Sequence, residues 1–121
     1  MSTAQELLKN KSKDIWSVTP DNTVFDALAL MGEKEIGALM VMDESKKVYG
    51  IISERDYARK VILKGKSSRD TKVAEIMTPL DKMFTVRPDT TVEDCMVLIT
   101  AKRIRHVPVF DDDQFVGLIS I

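Results

Sequence analysis

Apolar residues recur along this chain in two stripes that copy one another. Val24, Ala27, Leu28 and Met31 stand at i, i+3, i+4 and i+7, and Val92, Cys95, Met96 and Ile99 repeat that spacing. Such spacing predicts an amphipathic helix with one face in a core. A Thr with an Asp three residues later opens each stripe, at Thr23 and Asp26 and again at Thr91 and Asp94. The pair can satisfy orphan N–H groups at a helix start, with Asp in place of the usual Glu. Ahead of the stripes, Ile15 to Val18 and Met83 to Val86 are short apolar runs stopped by Pro20 and Pro88, each predicting a brief strand that enters a turn. Behind them, Ala38 to Met42 and Val107 to Phe110 lead through polar turns into Val48 to Ile52 and Phe115 to Ile119. Both places read as strand, turn, strand.

The first copy runs on into a predicted helix, Glu54 to Lys64, with Ala58, Val61 and Ile62 on one face and Gly65 as its stop. Short helices over Ala4 to Leu8 and Val73 to Met77 start the two copies in the same way. The correspondence extends to individual residues. Val18-Thr-Pro-Asp-Asn-Thr-Val-Phe-Asp26 falls on Val86-Arg-Pro-Asp-Thr-Thr-Val-Glu-Asp94; Leu30, Lys34, Ile36, Val41 and Asp43 fall on identical residues at 98, 102, 104, 109 and 111. After a one-residue deletion, Gly50-Ile-Ile-Ser53 meets Gly117-Leu-Ile-Ser120. Repetition of this kind means two copies of one supersecondary unit, neither able to bury its apolar face alone. The expected fold is α/β (α+β), each copy strand, helix, strand, strand, helix. The first copy spans 4–65, a linker 66–72, and the second 73–121, which stops at Ile121 before a last helix. Function is expected between the copies.

Composition narrows the field. The 121 residues suit one compact domain or two half-domains sharing a core. With 44% hydrophobic and 31% charged residues and a net charge of -1, nothing pulls the whole molecule toward nucleic acid or an anionic membrane. No apolar run approaches the roughly 20 residues that span a bilayer. Met1 to Asn10 carries neither a signal-peptide core nor an Arg-rich transit pattern. The expected location is the cytoplasm. A single cysteine, Cys95, allows neither an internal disulfide nor a thiol cluster for zinc, and its place on the helical stripe makes it a small buried hydrophobe.

The repeated Val-x-Pro-x-x-Thr-x-x-Asp, the Pro-Val-Phe-Asp at 108–111, Gly50-Ile-Ile-Ser-Glu-Arg-Asp56, Ile76-Met-Thr78 and Arg103-Ile-Arg-His-Val-Pro108 together resemble the CBS domain, named after cystathionine beta-synthase. Two copies make a pair with pseudo-two-fold symmetry, similar to the small stand-alone CBS-pair proteins of bacteria and plant organelles. The resemblance implies a regulatory, energy-sensing module that requires no cofactor and binds AMP, ADP or ATP in clefts between the copies. S-adenosylmethionine or NAD are further candidates. It also implies a homodimer and a regulated partner that the sequence leaves unnamed. In that family a Ser or Thr and an Asp three residues on serve the ligand, here Ser53 and Asp56, with Arg55 between them. A carboxylate accepts two hydrogen bonds from a ribose diol, and a hydroxyl with N–H groups at a helix start attracts phosphate. The base is expected against Ile15, Trp16 and Ser17 on the first short strand, and phosphate charge against Arg105 and His106, where the first copy has Gly37 and Ala38.

Each of these residues has a plainer reading. Asp56 can simply complement the helix dipole and Ser53 cap the helix. Trp16 can fill core, though its counterpart Phe84 also precedes the repeated Val-x-Pro. Strand alternation puts Arg103 and Arg105 on one side and His106 on the other. His106 is the only histidine and has no partner motif for a nucleophile or metal, so no catalytic or metal site is expected. The basic residues lack the aromatic interleaving of a nucleic-acid surface. At most one competent nucleotide site per chain is expected, centred on Ser53 and Asp56, because Asp56 has no counterpart before Ile121. The alternative function is a dimerisation module that has kept the fold without a ligand.

Overall fold

A computed structural model describes residues 2–10 and 15–120. The chain forms α1 (Ala4–Lys9), β1 (Ser17–Val18), α2 (Val24–Lys34), β2 (Ala38–Met42), β3 (Val48–Ser53), α3 (Glu54–Lys60), α4 (Val73–Ile76), β4 (Thr78–Pro79), α5 (Val92–Lys102), β5 (His106–Asp111) and β6 (Gln114–Ser120). Single 3₁₀ turns lie at Ile62–Lys64 and Leu80–Lys82. Among the described residues no helix is long and apolar enough to cross a membrane.

The two stripes become α2 and α5. Thr23 Oγ1 accepts from Asp26 N–H at 3.1 Å while Asp26 Oδ2 accepts from Thr23 N–H at 3.1 Å, closing the expected capping box. Thr91 Oγ1 accepts from Asp94 N–H at 3.1 Å. Val24, Ala27 and Met31 are buried on one side of α2, Cys95 and Ile99 on one side of α5. Met96, expected on the second stripe, is exposed instead. Both helices end on a left-handed residue, Glu35 and Arg103.

In space the chain divides into two compact units, one of residues 16–83 and the other of residues 1–15 with 84–121. These units do not follow the sequence copies. The lead-in α1 opens the first copy, yet it sits in the unit of the second: Val92 N–H bonds to Ser2 O at 2.9 Å, Ala4 N–H to Thr90 O at 2.8 Å and Gln5 N–H to Pro88 O at 2.9 Å. The lead-in α4 opens the second copy and makes the same set on the first, through Val24 N–H to Thr71 O, Val73 N–H to Asn22 O and Ala74 N–H to Pro20 O. Isolated bridges Thr3–Thr91 and Thr23–Lys72 mark the two junctions. The expected linker is therefore occupied in structure. Ser68 O and Thr71 O accept from the first turn of α2, whose N–H groups have no partner within the helix, and Thr71 is buried.

Unit 16–83 holds a four-stranded sheet in the order β1-β2-β3-β4, β1 parallel to β2 and the rest antiparallel. Its core gathers Val24, Ala27, Met31, Leu39, Val41, Ile52, Val61, Val73 and Ile76. The other unit holds the β5-β6 hairpin with a core of Ala4, Val86, Cys95, Ile99, Val107, Val109 and Ile119.

Three strand and helix expectations change. The first strand covers Ser17 and Val18 but not Ile15 or Trp16. The stretch expected over Met83 to Val86 contracts to one parallel bridge, Val86 with Val109. Ser17 pairs with Met40 in the first copy, but the residue matching Met40 is Pro108, which has no N–H to extend a ladder. The helix expected over 54–64 ends at Lys60, with Val61 as its C-cap at φ -119° and ψ -72°, its N–H still bonded to Tyr57 O, and a 3₁₀ turn following. That turn buries Val61 completely and swings Ile62 outward, so the expected Ala58, Val61, Ile62 face does not form. Gly65, at φ 70°, stops the following 3₁₀ turn.

Gly32 lies inside α2 with nothing within 4 Å of where a Cβ would stand. Gly32→Ala is expected to stabilise the protein by about 0.5–1 kcal/mol, since Ala gives up less backbone freedom on folding than Gly. An unchanged or lower urea midpoint would show that something approaches this helix in solution.

Candidate functional site

β3 ends at Ser53, whose extended backbone (φ -129°, ψ 165°) turns the chain into α3. Ser53 N–H donates to Asp56 Oδ2 at 2.9 Å, Ser53 Oγ donates to the same oxygen at 3.1 Å, and Asp56 N–H donates back to Ser53 Oγ at 3.3 Å. Lys60, one turn on, places Nζ 3.0 Å from Asp56 Oδ1 and donates to Ile76 O at 2.9 Å. Asp56 is largely enclosed, with 14% of its side chain exposed. The plain roles of Ser53 and Asp56 as helix cap and first-turn acid are both realised. They leave acceptor capacity, because each carboxylate oxygen carries two lone pairs.

Register brings further residues to this end of the sheet. Ser17 pairs with Met40 and Met40 with Ile51, while Ala38, two residues earlier on β2, pairs with Ser53. With β1 parallel to β2 and β3 antiparallel to it, the start of β1, the start of β2 and the end of β3 share one end. Gly37 O accepts from Glu54 N–H there at 3.0 Å. Trp16 and Ser17 are exposed at the β1 edge. Beside this end, Leu28, Met31, Gly32, Glu35, Ile36, Gly37 and Glu54 line a recess of about 360 Å³.

Unit 16–83 therefore brings together Trp16, Ser17, Ser53 and Asp56, with Arg55 exposed on α3. Ile15, Arg105 and His106 belong to the other unit. Strand alternation does not govern the basic cluster as expected, because β5 begins only at His106. Arg103 is the left-handed cap of α5 and Arg105 lies in the bend that follows. Cys95 is buried; burial pushes its thiol pKa up, and neighbouring Asp94 adds to the shift. That is the environment of an unreactive structural thiol.

One residue at this end was not singled out from sequence. Lys34, the last residue of α2, holds Nζ 4.0 Å from the centroid of the Trp16 ring, and Lys102 holds Nζ 5.0 Å from that of Phe84. Both lysines and both aromatics occupy matching positions in the two copies. Their joint retention is the signal that could have found them; a lysine at a helix end otherwise reads as a complement to the dipole.

The CBS domain family matches the chain over residues 6–63 and 73–121. The mitochondrial CBS domain-containing protein CBSX3 of Arabidopsis thaliana is 43% identical over 127 residues, covering 99% of this chain and 61% of that protein. The solved structure of a protein with CBS domains from Burkholderia ambifaria superposes with a TM-score of 0.91 at 46% identity, covering 98% of this chain and 88% of that one. The hexameric CBS-CP12 protein from bloom-forming cyanobacteria gives 0.81 at 32% identity, covering 98% and 63%. This chain thus spans under two thirds of the Arabidopsis protein.

Proposed function

The chain belongs to the CBS domain family, and on that footing we propose that it is a non-catalytic regulatory module for an adenine nucleotide of the AMP, ADP or ATP kind, acting through a homodimer or a partner protein. The observation that carries the proposal is the convergence, within one unit, of the Ser53–Asp56 pair with the exposed aromatic Trp16 at one end of a sheet. Asp56 Oδ1, held by Lys60, can take a ribose hydroxyl; Trp16 offers a flat face to a base. Regulation follows by linkage: a ligand that binds only the folded form stabilises it, by about 2.7 kcal/mol at a hundredfold excess over its dissociation constant.

A second reading draws on the same bonds. Ser53, Asp56 and Lys60 already satisfy one another, as they would in a purely structural module that dimerises without a ligand. Thermal melting with AMP, ADP, ATP, NAD and S-adenosylmethionine separates the two. Under the nucleotide reading, at least one ligand raises the midpoint and Asp56→Ala abolishes the rise. In the absence of ligand, Asp56→Ala also lowers stability by about 1 kcal/mol through loss of the capping-box carboxylate that accepts from Ser53 N–H. Flat melting at millimolar ligand, with only that second effect seen, leaves the structural reading in place of the first.

A further inference from the structure

The ammonium of Lys34 occupies one face of the Trp16 ring. It lies 4.0 Å from the ring centroid, and its side chain is 29% exposed against 68% for the adjacent Glu33, the carboxylate 3.7 Å away. Lysine at a helix end normally extends into water; here it is drawn in against the indole, as the attraction between a cation and a ring quadrupole predicts. The arrangement is built twice, since Lys102 lies over Phe84 from the end of α5. In the unit of Lys34, the end of the sheet that carries Ser53 and Asp56 has Gly37 and Ala38 where the other copy has Arg105 and His106, so Lys34 is placed to supply the charge that those positions lack.

From this we infer that Lys34 is a displaceable cover on Trp16 and the specificity determinant of the site: an incoming ring takes the indole face and the ammonium passes to the ligand's phosphate. The inference rests on the adenine-nucleotide reading and sharpens it, for it makes the site select a phosphorylated nucleoside over the bare nucleoside. A surface ion pair such as that with Glu33 is a weak restraint, so the lysine can move. The exchange of partners is near balanced for a phosphorylated ligand, because one cation contact replaces another. A nucleoside without phosphate must displace the ammonium and offers it nothing in return.

Trp16 is the only tryptophan, so its emission reports on this face alone. AMP and adenosine are titrated against the wild type, Lys34→Met, Lys34→Arg and, as a control for lost charge, Lys66→Met at an exposed position. Lys34→Met is expected to change the emission of the ligand-free protein and to shrink the preference for AMP over adenosine about tenfold, the worth of one charged hydrogen bond. Lys34→Arg and Lys66→Met keep the preference. An AMP-to-adenosine ratio in Lys34→Met equal to that of the wild type overturns the inference while leaving nucleotide binding intact. A wild type that responds to neither AMP nor adenosine in emission overturns this inference, and one whose melting is also indifferent to ADP and ATP overturns the nucleotide reading with it.

Discussion

Gly50→Ala is expected to cost about 1–3 kcal/mol, at the upper end of that range for overpacking a tight core position. Gly50 sits in β3 between Val41 of β2 and Pro79 of β4. A Cβ there would run into the backbone oxygen of Thr78, with Thr78 C at 3.2 Å and Met77 Sδ at 3.1 Å. Backbone cannot step aside, so either the short β4 leaves the sheet or β3 bends. The matching glycine gives the control. A Cβ on Gly117 would meet only the tip of Leu8, Cδ2 at 2.7 Å and Cδ1 at 2.9 Å, and a flexible side chain can turn away for about 1 kcal/mol. Urea unfolding of both variants should show a large drop in midpoint for Gly50→Ala and a small one for Gly117→Ala, each with an unchanged slope. Equal drops would mean that the two glycines meet equally yielding neighbours.

The pair of glycines also shows what the amino-acid pattern carries and what it does not. Repetition of Gly-x-Ile-Ser is visible in the sequence, and so are α2 and α5, because capping and an apolar stripe are both local signals confined to one or two turns. The reason for the glycines is not local. Each faces the lead-in segment of the opposite copy, Gly50 against Met77 and Thr78 just past α4 and Gly117 against Leu8 of α1, and no periodicity within α1 or α4 says which sheet it joins. Ile62 departs from expectation for a related reason: a helical stripe continues through Val61 and Ile62 in the sequence, but the helix ends at Lys60, so Val61 is buried as expected while Ile62 is exposed. At the candidate site, Ser53 and Asp56 are legible as a helix cap and a first-turn acid, but their mutual hydrogen bonds are visible only in the structure. The Lys34–Trp16 contact escaped because its partners are far apart in the chain and each residue has a commoner use.

The exchange of lead-ins makes a crossed prediction, and it carries the largest single effect. Ile76 is 2% exposed, in α4 at the start of the second sequence copy, and packs in the core with Leu39 and Ile52. Ile76→Ala is expected to cost about 2–5 kcal/mol through lost burial and the cavity left behind. The cost should fall on the sheet of the first copy: hydrogen exchange at the amides of β2 and β3 accelerates, because local opening free energy tracks the packing of the unit that opens. Leu8→Ala, in α1 at the start of the first copy, should act on the other sheet. Leu8 packs against the core of Val107, Val109 and Ile119 and covers Gly117, so exchange should quicken at β5 and β6, by a smaller amount because Leu8 is only half-buried. If each substitution instead loosened the sheet of its own sequence copy, the lead-ins would not be exchanged in solution, and the hydrogen bonds from Ala4 to Thr90 and from Val73 to Asn22 could not both be present. The crossed pattern follows from the way each core is completed: Val73 and Ile76 of α4 join Val24, Ala27 and Met31 of α2 beside Leu39, Val41 and Ile52, and Ala4 of α1 joins Cys95 and Ile99 of α5 beside Val107, Val109 and Ile119.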